Sequence, residues 1–128
     1  MFKRLLLLAA LLFSAHAQAA IIGNPVVAQQ SPAAESSHVF ATASANLYSA
    51  QLTTGGSAGY LMVFNATTAP ADGAVTPALC LYAAANTSLP LNFAFPVPFS
   101  TGITFVFSTT GCFTKTASAT AFFSAQTR

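Results

Sequence analysis

Leu91-Asn92-Phe93-Ala94-Phe95, followed shortly by Ile103-Thr104-Phe105-Val106-Phe107-Ser108, is the stretch that decides the fold. Large apolar side chains recur at every second position. On an extended chain successive side chains point to opposite faces, so this spacing predicts two strands that each bury one face. Phe93, Phe95, Phe105 and Phe107 are expected to point inward. Pro96-Val97-Pro98 predicts the end of the first strand, and Thr109-Thr110-Gly111 turns the chain after the second.

Working outward, the same punctuation continues. Asn46 to Thr53 reads as a strand, with Gly55-Gly56-Ser57 as the turn after it. Tyr60-Leu61-Met62-Val63-Phe64 is apolar at every position, which predicts a central strand covered on both faces. Ala69-Pro70-Ala71-Asp72-Gly73 is a turn in which Pro presets φ and Gly is free to take φ > 0. Asp72 is expected to bond nearby backbone N–H groups there. Leu79 to Ala83 is a third run, ending at Asn86-Thr87-Ser88, and Ala117 to Ala125 closes the chain around Phe122-Phe123. Beyond the N-terminus no segment sustains a period of 3.6. Six to seven short strands divided by Pro and Gly predict an all-β chain, an antiparallel β-sandwich of immunoglobulin-like or jelly-roll-like form.

Residues 20–44 are rich in Ala, Ser, Gln and Pro, with Ile21-Ile22 and Val26-Val27 as the large exceptions. They read as a loosely ordered leader holding at most one short strand, or a helical turn over Ala33 to Ser36. The sandwich domain is expected over 45–128. Residues 1–19 read as a cleaved signal peptide. Met1-Phe2-Lys3-Arg4 is basic, Leu5 to Phe13 is apolar but too short to span a bilayer, and Ala15-His16-Ala17 and Ala17-Gln18-Ala19 offer small-x-small cleavage sites. The expected location is secreted or periplasmic, with no membrane span left after cleavage.

The formal net charge of +2 belongs to the precursor. Without Lys3 and Arg4, Lys115 and Arg128 balance Glu35 and Asp72, and no charged residue falls between Gly73 and Thr114. So few cations exclude a phosphate-binding, and hence a nucleic-acid-binding, surface. Little charge also opposes self-association, so a homo-oligomer through a β-edge or an apolar face is expected.

Cys80 and Cys112 are the two cysteines, and an even count in an exported chain predicts that they pair as a disulfide. The alternatives are a redox pair, metal ligands or free thiols. There is no Cys-x-x-Cys, and His38 is the one histidine beyond the expected signal peptide, short of the three or four ligands that a metal needs. For catalysis, Glu35 and Asp72 are the only carboxylates, and a Ser-His-Asp set would have to combine His38 with Asp72. No Gly-x-Ser-x-Gly elbow occurs, and Gly55-Gly56 is not followed by Gly-Lys-Ser/Thr. No catalytic, cofactor-binding or metal-ligating residue is assigned, and no cofactor is expected. Asn65-Ala66-Thr67 and Asn86-Thr87-Ser88 have the form of glycosylation sequons. Eight of the 12 phenylalanines lie between Phe93 and Phe123, where alternation favours a core over an aromatic platform for sugars or bases.

Two stretches carry a resemblance. Tyr60 to Pro77 reads YLMVFNATTAPADGAVTP, and Phe99 to Gly111 reads FSTGITFVFSTTG. Together they resemble a small all-β domain that recurs among tailed-phage and prophage-type structural genes, over about Asn46 to Ser124. The resemblance implies a β-sandwich with a virion-decoration or accessory surface role, and so a virion-associated alternative location. The chain departs from that pattern in its export signal and its two cysteines. The expected function is that of a non-enzymatic structural or decoration-type protein. The alternative is a secreted binding module for a glycan or a cell-surface partner.

Overall fold

The computed structural model describes residue 23 and residues 25–128. The signal peptide expected over 1–19 lies outside the described residues. Among the described residues ten strands follow in order: β1 Val27–Gln30, β2 Ser37–Ala41, β3 Ala45–Thr54, β4 Gly59–Phe64, β5 Gly73–Ala74, β6 Leu79–Ala83, β7 Ser88–Phe99, β8 Ile103–Ser108, β9 Thr114–Lys115 and β10 Ala121–Thr127. Sheet I has the order β1-β10-β3-β7, sheet II the order β2-β8-β4-β6, and β5 pairs with β9. Every pairing is antiparallel. With the β5–β9 pair set aside, every connection except β4 to β6 passes from one sheet to the other.

The inner faces close on one core. Leu47, Leu52 and Phe123 come from sheet I, and Phe40, Leu61, Val63, Ile103, Phe105 and Phe107 from sheet II. Phe105 is the hinge of this packing. Its ring lies edge-on to Phe40 at 4.7 Å and to Phe123 at 6.2 Å between centroids. A fully buried Phe contributes about 1.5–3 kcal/mol from lost apolar exposure alone.

The six expected strand runs correspond to β3, β4, β6, β7, β8 and β10. The additional strands are β1, β2 and the two-residue pair β5 and β9. The leader is therefore more ordered than its composition implies. β1 pairs with β10 and β2 with β8. Between them the Ser31 N–H donates to the Phe123 carbonyl at 2.8 Å, and the Phe123 N–H donates to Ser31 Oγ at 3.0 Å. In place of a helical turn, Glu35 bridges to Ala121. The segment is held by backbone hydrogen bonds, which small and polar side chains do not advertise.

β4 and β8 lie side by side inside sheet II, and β8 is buried at all six positions. Their inward residues join the core, while Met62, Phe64 and Val106 on the outer face form a second cluster with Ala69, Val75 and Cys80. Double coverage of the apolar run at 60–64 is thus borne out. The cover is a cap formed by 65–78 and 109–118. Thr104 Oγ1 donates to the Ala66 carbonyl at 2.7 Å, and Ser108 Oγ accepts from the Thr116 N–H at 2.9 Å. Gly73 takes φ of 124° at the cap's turn, as its place after Pro70 and Asp72 predicts. Gly59 is needed for another reason: a Cβ there would sit 2.5 Å from the Ser108 carbonyl oxygen.

β7 departs from expectation twice. Pro96-Val97-Pro98 does not end the strand, which runs on to Phe99. β7 is an edge strand of sheet I, and there proline's missing N–H costs no ladder bond. Phe95, expected inside, is 85% exposed. Asn92 pairs with Ser49 and Val97 with Leu47, so Phe93 to Pro96 all stand opposite Tyr48 alone. The surplus residues bulge outward and lift Phe95 away from the core.

Candidate functional site

The residues that sequence reading weighed for chemistry are separated by the fold. His38 Nδ1 meets Glu35 Oε1 at 2.6 Å, and the ring lies against Phe40 at 4.6 Å between centroids. The pair is half-buried and His38 belongs to the edge strand β2, so it is less solvated than its place in the leader suggests. Asp72 Oδ1 lies 2.5 Å from Lys115 Nζ, and its carboxylate also accepts from the Ala117 N–H at 3.3 Å. These partners are distant in sequence rather than local to the turn. The Lys115 hydrogen bond first, then that of Ala117, hold the Asp72 carboxyl below its ordinary range, against the opposing effect of desolvation. His38 and Asp72 each have a different partner and do not form a Ser-His-Asp set. Among the described residues no group of three or more His, Cys, Asp or Glu could hold a metal ion.

Cys80 and Cys112 form a disulfide with Cα atoms 5.7 Å apart. It ties β6 to the loop after β8, as the even cysteine count predicted that the two would pair, and fastens the cap over sheet II. Of the two sequons, Asn65 is engaged within the cap, accepting from the Thr101 N–H and donating to Ser100 Oγ. Asn86 sits in a turn at φ of 54°.

The outer face of sheet I is arranged differently. Register places Ala28, Gln126, Ser49 and Asn92 in one row across its four strands, and Gln30, Ser124, Gln51 and Pro90 in the next. Both rows line an open groove of about 360 Å³, together with Gln29, Ala50 and Ala125. That is at the small end of ligand-sized sites, about 300–1,000 Å³. No lining residue is charged. Amides and hydroxyls dominate, each able to donate and accept hydrogen bonds. Four strands at about 4.8 Å spacing make each row roughly 14 Å long.

Sequence reading did not find this groove. Its residues sit at the polar positions of the strands, where any half-exposed strand carries Ser, Gln or Asn. Only the register, which brings positions nearly a hundred residues apart into one row, distinguishes it. On the other side, Tyr60 and Tyr82 form an edge-on pair at 5.4 Å on sheet II, and Phe113 in the cap is 73% exposed. Among the described residues no helix is long and apolar enough to cross a membrane. No protein-family model, curated protein or solved structure matches the chain.

Proposed function

We propose that this is an exported, non-enzymatic β-sandwich that works by surface contact, as a structural or decoration-type part. The observation that carries the reading is the contrast between the two outer sheet faces. That of sheet II is covered by a disulfide-fastened cap, whereas that of sheet I is open, grooved and uncharged. A rigid sandwich with one such face is suited to lying against another molecule. The disulfide fits an oxidising compartment, and the basic, apolar and small-residue order of 1–19 fits removal during export to the periplasm or medium. The resemblance of residues 46–124 to a phage-type structural domain supports the same kind of role.

The low charge supports self-association, and the edges offer a route. Edge strand β7 carries Pro90, Pro96 and Pro98, which block strand addition, whereas β1 and β6 carry neither proline nor charge. The test is fractionation of cells or particles producing the full chain with its own leader. Protein retained on an envelope or particle should be released by Ser49→Arg with Ser124→Arg, which fills the groove with charge. Equal retention of parent and variant would overturn the reading.

A further inference from the structure

We infer that the groove on sheet I takes a neutral glycan strand. This rests on the reading above that the face is a contact surface, and it names the occupant. The lining has no charged side chain, so an ionic ligand would lose hydration without gaining a counter-charge. Gln30, Gln51, Gln126, Asn92, Ser49 and Ser124 each offer a donor and an acceptor, the same dual character as a sugar hydroxyl. An extended peptide fits less well. It binds sheets chiefly through backbone hydrogen bonds at an edge, and on this face the backbone groups are already spent in the ladder.

Two parallel rows spanning four strands present repeated polar groups, which suits a polymer with repeated hydroxyls better than one small molecule. The bulge in β7 exposes an aromatic ring close in the chain to the groove, outside its lining. Phe95 is 85% exposed, three residues beyond Asn92 at the end of one row. Three residues of chain reach at most about 11 Å. A flat ring there gives the C–H face of a sugar something to cover, at a position where core packing does not require an aromatic.

The experiment is affinity electrophoresis of the oxidised protein through gels containing hydroxyethylcellulose, glycogen, galactomannan or glycol chitin, with alginate as the anionic comparison. At least one neutral polysaccharide should retard the protein, with no change on adding salt. Gln51→Ala with Gln126→Ala should weaken the apparent affinity about tenfold, the effect of losing two neutral hydrogen bonds. Phe95→Ala should weaken it too, and Phe113→Ala on the capped side should not. Unchanged thermal unfolding of the variants shows that they fold.

Retardation by alginate alone, retardation that survives the double variant, or none in any neutral gel would overturn the inference. So would a dimer in sedimentation that the double variant dissociates, since the occupant would then be a second copy. The two readings fail separately. Groove variants that lose envelope retention without any glycan binding refute the glycan and keep the contact surface. Groove variants that lose glycan binding but stay on the envelope do the reverse.

Discussion

Lys115 is only 7% exposed at its side chain, and the carboxylate of Asp72 is the acid beside it. The link joins the turn before β5 to β9, so it closes the cap from both ends. Because the folded pKa of Asp72 is lowered, the stability it contributes is present above the ordinary carboxylate value of about 4. It is lost as pH falls through the folded value. Asp72→Asn should therefore flatten the acid limb of the stability profile below about pH 4, read by urea unfolding at a series of pH values. A variant with the same acid limb as the parent would show that the ion pair does not couple to folding. Asp72 was legible in sequence as a turn residue, but its partners were not. Nothing near it in the chain names Lys115 or Ala117, which the β5–β9 pairing brings to it.

Among the elements, β8 and β7 show what alternation can and cannot foretell. In β8, Ile103, Phe105 and Phe107 fall inward as their period of two requires, and the strand lies between β2 and β4. The same pattern in β7 holds for Phe93 and fails at Phe95. The rule assumes that each residue faces one partner, and the bulge opposite Tyr48 breaks that count. Pro96 and Pro98 misled for a related reason, since a strand end and an unpaired edge tolerate proline equally. The two strands give opposite expectations for one substitution. Phe105→Ala should cost about 3–5 kcal/mol in chemical unfolding, as for a buried aromatic. Phe95→Ala should stay within about 0.5 kcal/mol, as for an exposed side chain. Equal losses would mean that Phe95 is packed in solution.

At the scale of the whole molecule, the sandwich and its disulfide were legible because turn residues, alternation and cysteine count are local or numerical signals. The cap and the groove were not, since both are made by strands that meet through register. The disulfide closes a loop across a sequence separation of 32 and holds the cap on sheet II. Chain entropy assigns such a closure about 3–4 kcal/mol. Replacing both cysteines by serine should lower the unfolding free energy by about that much, with the larger local effect at Met62, Phe64 and Val106. Hydrogen exchange of β4 and β8 would read this, and unchanged protection there would separate the bond from the cap.

The place of β10 carries a consequence for how the molecule is made. The last strand lies inside sheet I, between β1 and β3, and supplies Phe123 to the core. β3 can pair with β7 earlier, but β1 has no partner, and sheet I no inner strand beside it, until residues 121–127 have left the ribosome. Contacts this remote in sequence form slowly, because a long loop must be closed before they stabilise anything. A nascent chain of this design can pair all four strands of sheet II from residues 37–108, but not those of sheet I. Sheet I, and with it the closed core, is completed only once residues 121–127 are free to insert between β1 and β3, on whichever side of a membrane that occurs.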